Sequence, residues 1–364
     1  MVGPPPETSS NPLPSTQAVS GSSASMQENI GLAFARVSPD LALVETSLRN
    51  QLGSKAELIG HLGAHVLSSG GKRLRPALVL LAAELCGYVG PRRIELAAAL
   101  ELLHMATLIH DDIVDLAEMR RGRPAANAIW GNRRAVLAGD YFYARASSII
   151  IQDGQLEIVE SFANTIASMA EGELLQLERS FDVDVTESHY YEVIERKSAT
   201  LLSNCCEIGG LLGGVTRGER KRICEYGRQL GLAFQLRDDC LDYDAVLADL
   251  GKQPMADLRE GKITLPLILT LKRCEVGERE LVAKVLKNAA QLADEHGGRA
   301  PLAANELDLA PVAEMVTRYH GLTDTLRRAE DHVHRALEAI APFPDGPAKD
   351  ALCAAAEFSV VRDR

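Results

Sequence analysis

Aromatic side chains make up only 4% of the 364 residues, although hydrophobic residues of all kinds reach 46%. A chain this poor in Phe, Tyr and Trp and this rich in Leu and Ala suits helix-on-helix packing better than a β-sandwich. Uninterrupted apolar runs of roughly 18 residues are missing, and no basic segment leads into an apolar one at the N-terminus. Neither a membrane span nor a signal peptide is therefore expected, and a cytoplasmic protein is. Cations are in the minority, 39 Lys and Arg against 50 Asp and Glu for a net charge of −11. That balance excludes a general nucleic-acid-binding surface and makes any functional cation a local matter. The seven cysteines (Cys86, Cys205, Cys206, Cys224, Cys240, Cys274 and Cys353) are odd in number and form no C-x-x-C pair. They read as reduced packing residues, neither a disulfide framework nor a zinc site. Strand patterning, internal repeats and dinucleotide-type glycine motifs are absent too.

What is there is carboxylate in unusual places. Leu108-Ile109-His110-Asp111-Asp112-Ile113-Val114-Asp115 loads three aspartates onto apolar, helix-forming sequence. Residues i and i+4 share a helix face, so Asp111 and Asp115 point the same way one turn apart, with His104 about two turns earlier and Asp112 turned aside. Two carboxylates so placed repel unless a hard divalent cation lies between them, and Mg²⁺ takes one or two protein carboxylates with phosphate oxygens and water. The D-D-x-x-D pattern recurs at Asp238-Asp239-Cys240-Leu241-Asp242, again within an apolar helical stretch. A solvated acidic face would explain one such run, but hardly two at matching phase.

Residues 1–25 are Pro-, Ser- and Gly-rich with few apolar anchors and are expected to form a disordered tail, leaving 26–364 as a single domain. Two amphipathic helices are expected between about Gln27 and Ser69, broken at Gly53-Ser54. Gly70-Gly71-Lys72-Arg73-Leu74-Arg75-Pro76 then offers free backbone N–H groups and three cations, either an anion site or a basic surface turn. Gly90-Pro91 opens the helix that carries the first motif, which is expected to run to about Met119. Arg120-Arg121-Gly122-Arg123-Pro124 follows, where guanidiniums suit phosphate oxygens and also the helix C-terminus. Three helices are expected from Ala135 to Gly214, with breaks near Asp153-Gly154 and at Phe181-Asp182-Val183-Asp184, the third bearing Lys197-Ser198. Thr216-Arg217-Gly218-Glu219 is a capping-box signature that starts the helix of the second motif. A polar connection with Lys252 and Lys262 is placed to close over the site, and Ile263 to Leu271 reads as central. Beyond it, more helices follow, with a break at Pro342-Phe343-Pro344.

Taken together, these blocks resemble the trans-isoprenyl diphosphate synthases, and more closely their long-chain, octaprenyl-type branch, from about residue 28 to the end. Gly139-Asp140, Asp257 to Pro266 and the closing Val361-Arg362-Asp363-Arg364 belong to the same resemblance. It implies an all-α fold, a single antiparallel helical bundle around a deep central cavity, usually as a homodimer. It further implies Mg²⁺, with Mn²⁺ able to substitute, held by Asp111, Asp115, Asp238 and Asp242. An allylic diphosphate would be met by Arg120, Lys197, Ser198, Gln235, Lys252 and Lys262, and isopentenyl diphosphate by Lys72, Arg75, His104 and Arg121. The product would be a long all-trans chain, octaprenyl or a near neighbour, handed to membrane enzymes for quinone side chains. Ser198 stands where the family usually has Thr, which keeps the hydroxyl. Gln253-Pro254-Met255 departs from the usual loop after Lys252.

In short-chain relatives a bulky aromatic precedes the first motif and plugs the cavity. Here Ala106 and Thr107 stand there, so the tail is expected to descend further. The rival readings are a shorter-chain farnesyl or geranylgeranyl synthase, a class I terpene cyclase, a non-catalytic synthase subunit, and a metal phosphohydrolase in which His110 ligates metal. The cyclase would not need the Gly70 to Pro76 block, and the subunit would have lost its aspartates. His110 lies about 100° from Asp111 around the helix, which counts against the hydrolase.

Overall fold

A computed structural model describes residues 23–68, 73–243, 255–295 and 307–361. Lys72, Lys252 and most of the N-terminal tail lie outside these segments. The chain winds through α1 (Ser23–Gln51), α2 (Glu57–Ser68), α3 (Leu74–Leu85) and α4 (Arg92–Val114), then a two-residue ribbon, β1 (Met119–Arg120) with β2 (Arg123–Pro124). Next come α5 (Ala126–Trp130), α6 (Asn132–Asp153), α7 (Leu156–Glu178) and α8 (Glu187–Ile194). A π-helical turn (Glu195–Ala199) leads into α9 (Thr200–Gly213) and α10 (Arg217–Leu241). The remainder is α11 (Ala256–Arg259), α12 (Leu265–Leu271), α13 (Val276–Glu295), α14 (Ala310–Arg318), α15 (Gly321–Ile340) and α16 (Pro347–Val361). The fold is all-α, as the composition and patterning anticipated.

Two apolar clusters form the core. One gathers α3, α4, α6 and α9 around fully buried Leu78, Leu100, Phe142 and Ile208, and the other gathers α12 to α15 around Leu265, Leu267 and Val312. They meet along α10, whose Leu230 and Ala233 belong to the first and whose Leu232 and Leu236 belong to the second. All seven residues of α12 are buried, so Ile263 to Leu271 is as central as its apolar run suggested. The expected capping box starts α10. Thr216 Oγ1 accepts from Glu219 N at 3.3 Å, and Glu219 Oε2 accepts from Thr216 N at 2.9 Å.

The first-motif helix differs from expectation at its end, since α4 stops at Val114 and does not reach Met119. Leu116 adopts the left-handed conformation (φ +53°), while Leu116 N donates to Ile113 O at 3.3 Å and Ala117 N to Asp112 O at 2.9 Å. This double closure ordinarily has glycine at the left-handed position, and the leucine there hid the stop signal. The ribbon was also unexpected. Its turn residues Arg121 (φ +51°) and Gly122 (φ +74°) are both left-handed, as a two-residue type I′ hairpin turn requires.

Candidate active site

The C-terminal turn of α4 and the second half of α10 deliver their carboxylates to one side of the bundle. A cleft of about 230 Å³ opens between them. Of the residues singled out in the sequence, Asp111, Asp115, Arg120, Lys197, Ser198, Gln235 and Lys262 line it. Asp112, as its phase predicts, is turned away. Only 3% exposed, it holds Arg120 Nε at 2.6 Å and so fixes the first ribbon arginine beside the cleft.

Across the cleft, the π-helical turn carries Lys197 and Ser198. Such turns are frequent at functional sites because they re-aim side chains within an otherwise regular helix. Lys197 Nζ donates to Gln176 Oε1 at 3.0 Å and pairs with Glu173, both from α7. Ser198 Oγ donates to Gln235 Oε1 at 2.8 Å, and Gln235 Nε2 donates to Asp239 Oδ1 at 2.8 Å. Tyr190 OH donates to the other oxygen of Asp239. Lys262 Nζ closes the cleft on the α11 side, 3.0 Å from Asp115 Oδ1 and 2.7 Å from Glu260 Oε2.

In the second motif the resemblance implied Asp238 and Asp242 as metal ligands and gave Asp239 no role. Asp239 lines the cleft instead, lodged there by Gln235 and Tyr190. Asp242 is turned to the strap that follows: its oxygens accept from Ala256 N at 3.0 Å and Asp257 N at 3.2 Å, capping α11. The charge of Asp238 favours the ionised forms of Arg75 and Arg121, which places it toward a second group of polar residues. That group is Arg75, Arg121 and His104. Arg75 is half-buried, and its Nε is enclosed with no hydrogen-bond partner among the described residues. Burial, reinforced by the neighbouring arginines Arg75, Arg121, Arg120 and Arg73, holds His104 well below the usual imidazole range, so the ring is neutral. A half-buried guanidinium with a spare donor beside other cations is suited to a diphosphate oxygen.

The carboxylates bear the mark of unneutralised charge. Burial lifts Asp111 to about 6 despite the opposing pull of Lys197, with Glu173 and Asp115 pushing the same way as burial. Asp239, Asp242 and Asp257 are likewise displaced upward, by burial first and, for Asp239 and Asp242, then by repulsion from Asp257. Among the described residues no three His, Cys, Asp or Glu side chains converge tightly enough to hold a metal ion as they stand. Lys262 occupies Asp115, and backbone donors occupy Asp242. The donor set is nevertheless all oxygen and carries excess negative charge, which suits a hard divalent cation better than a softer one.

His110 takes no part in the cleft. Its Nε2 lies 3.3 Å from Val136 O and 3.5 Å from Asp140, and a Cβ on Gly139 would come within 2.3 Å of it. Packed on α6, it is not where a hydrolase ligand would stand. Ala106 is 2% exposed within α4, and Thr107 Oγ1 donates to His104 O at 2.9 Å. Residues to which the sequence assigned no role in the site are Glu173, Gln176, Tyr190, Asp239 and Asp257. Tyr190 lies seven residues, two helical turns, before Lys197 on what reads as one helix, and this spacing was the available signal.

The polyprenyl synthetase profile matches residues 56–296. Octaprenyl diphosphate synthase of Escherichia coli is 40% identical over 325 residues, 89% of this chain and 96% of that protein. All-trans-nonaprenyl-diphosphate synthase (geranyl-diphosphate specific) of Rhodobacter capsulatus is 35% identical over 320 residues, 88% and 94% of the two chains. The crystal structure of a polyprenyl synthase from Caulobacter crescentus, complexed with calcium and isoprenyl diphosphate, superposes with a TM-score of 0.83 at 36% identity, covering 92% of this chain and 98% of that one. With a whole-chain likeness in sequence and in fold, and both aspartate motifs on facing helices, this chain belongs to the polyprenyl synthetase family.

Proposed function

We propose that the protein is a long-chain trans-polyprenyl diphosphate synthase, condensing isopentenyl diphosphate head-to-tail onto an allylic diphosphate to give an octaprenyl-like product for quinone side chains. The observation that carries this reading is the pairing of two unlike anion sites. One is a carboxylate cleft with Arg120, Lys197 and Lys262; the other is a group of cations, Arg75 and Arg121 around a neutral His104, with Glu101 and Asp238 as its nearby counter-charges. A reaction that joins two diphosphates, only one of which must leave, needs that asymmetry.

Asp111 and Asp115, with the α10 carboxylates Asp238, Asp239 and Asp242 opposite, would hold Mg²⁺ or Mn²⁺. The relative crystallised with calcium and isoprenyl diphosphate supports a divalent cation in this family fold. When bound, the metal neutralises the allylic diphosphate and makes it a leaving group. Arg120, Lys197 and Lys262 take up the remaining phosphate charge, Lys197 and Lys262 exchanging their present carboxylate partners for phosphate oxygens. Ser198 and Gln235 orient the α10 carboxylate. The C–O bond then breaks with its electron pair on the diphosphate, leaving an allylic cation. Arg75, Arg121 and neutral His104, joined by Lys72, hold isopentenyl diphosphate with its double bond aimed at that cation. The new C–C bond forms, and the proton lost goes to the departed diphosphate.

Homodimerisation is supported by a strip of exposed apolar residues on α6 and α7. Leu137 is 67% exposed, Ile151 64%, Leu156 77% and Leu174 61%. No described helix is long and apolar enough to cross a membrane. The seven cysteines are all free, in keeping with cytoplasmic synthesis and delivery of the lipid to membrane enzymes. Purified protein given isopentenyl diphosphate, an allylic primer and Mg²⁺ should release a long polyprenyl diphosphate, identified by mass, and a chelator should stop it. A product ending at farnesyl or geranylgeranyl diphosphate overturns the chain length, and a cyclic hydrocarbon overturns the reaction.

A further inference from the structure

The three cations of Lys72-Arg73-Leu74-Arg75 look equivalent in the sequence, yet Arg73 and Arg75 are put to different uses. Arg73 sits immediately before α3 in the left-handed conformation (φ +47°), which a non-glycine residue keeps only where its surroundings over-determine it. Its guanidinium supplies the restraint. Nε lies 2.6 Å from Glu45 Oε1 on α1, Nη1 2.9 Å from Glu101 Oε1 on α4, and Nη2 donates to Leu67 O at 3.1 Å in the last turn of α2. One side chain thus ties three helices to the start of a fourth. Glu101 is only 5% exposed and stands one turn before His104 on α4. It is also the leading favourable charge on both Arg75 and Arg121. Nothing in the proposed chemistry uses it.

We propose that Arg73 and Glu101 are the positioning pair of the isopentenyl diphosphate pocket, an inference that rests on the function proposed above. Arg73 meets no substrate. It fixes the left-handed turn from which Arg75, two residues on, enters the pocket. Glu101 is the buried counter-charge that lets Arg73, Arg75 and Arg121 crowd around one diphosphate. Without a carboxylate at that depth, three guanidiniums would repel one another in the absence of ligand, and the pocket would have to be assembled by the substrate.

The test is Arg73→Met beside the double variant Arg73→Met/Glu101→Gln, with helicity and melting temperature followed in each. The double variant leaves no charge at position 101 unpaired and keeps the comparison alive if the single variant fails to fold, since a lone buried charge is far more damaging than the loss of a pair. A displacement of Arg75 by about 1 Å should raise KM for isopentenyl diphosphate by about 10- to 100-fold, with KM for the allylic substrate and kcat nearly unchanged. A merely structural pair would weaken both substrates together or lower only the melting temperature. A folded double variant with unchanged KM for isopentenyl diphosphate, or with equal rises for both substrates, overturns the inference. Titration calorimetry with isopentenyl diphosphate gives the same comparison without turnover. A parent that binds it but never condenses it fails the functional reading, whereas a double variant that binds it as the parent does fails this one.

Discussion

At the scale of single residues, neighbouring side chains of one type are separated by what they touch. Asp111 faces the cleft while Asp112 holds Arg120; Arg75 keeps an unpartnered Nε while Arg73 is tied to Glu45, Glu101 and Leu67. Helical phase predicted the first division, because i and i+1 lie about 100° apart. Nothing in the Lys72 to Arg75 block predicted the second, which depends on Glu45 and Glu101, residues 28 positions away on either side of Arg73. Arg75→Ala should raise KM for isopentenyl diphosphate far more than for the allylic substrate, since the proposed function gives the carboxylate cleft to the latter. Equal rises in steady-state kinetics would show the two sites to be exchanged. Chain length is also a residue-scale matter. Ala106 is buried in α4 five residues before Asp111, and each methylene of a tail passing into an apolar interior gains about 0.8 kcal/mol. A ring in place of that methyl would block descent. Ala106→Tyr should therefore shorten the product sharply while condensation continues, read from the product masses beside the parent's, and an unchanged distribution would place the plug elsewhere.

At the scale of elements, the chain is assembled from helices whose starts were clearer than their ends. Thr216 and Glu219 announce α10 with an ordinary capping box, and α6, α7 and the α8–α9 run fall where the breaks near Asp153-Gly154 and Phe181 to Asp184 suggested. The π-helical turn that aims Lys197 and Ser198 was not legible, because one extra residue in a turn leaves no mark on an apolar pattern that continues through it. Nor was the termination of α4, where Leu116 occupies a glycine's place. α6 and α7 present apolar residues outward at helical spacing, and a homodimer would bury them. Leu137→Asp should shift the purified protein from twice the chain mass to the chain mass in size-exclusion chromatography with light scattering. A parent that is already monomeric would remove the dimer from the proposal.

At the scale of the whole molecule, the carboxylate cleft makes stability depend on pH and on metal in a linked way. Asp111 titrates near 6 in the fold against an ordinary value of 3.8, raised chiefly by burial, and Asp239, Asp242 and Asp257 are displaced in the same direction. Between those values the folded protein binds more protons than the unfolded chain. This contribution to stability is therefore complete below pH 3.8 and is lost as pH rises through about 6 and beyond. His332 acts oppositely: burial lowers it to about 4, so its contribution is lost as pH falls from 6.5 toward 4. The difference in melting temperature with and without Mg²⁺ cancels the histidine, which lies among Gln229 and Tyr191 and outside the cleft. That difference should grow from pH 5 to pH 8, because the metal must displace protons from the carboxylates at the lower pH. A difference that stays flat would mean that these carboxylates do not take the metal.

The sequence by itself determined the all-α class, the two aspartate helices and most of the cations around them, because helical periodicity and i, i+4 spacing are local properties that survive without any tertiary contact. Only the tertiary structure decided which of those groups meet. Asp239 lines the cleft because Tyr190, 49 residues away, and Gln235 hold it there, while Asp242 is drawn off by backbone donors 14 and 15 residues further on. Lys262 reaches Asp115 across 147 residues. A carboxylate's partner is set by whatever donor packing leaves within hydrogen-bonding distance, and that is fixed by how α4, α8, α10 and α11 pack together, which no spacing along the chain records.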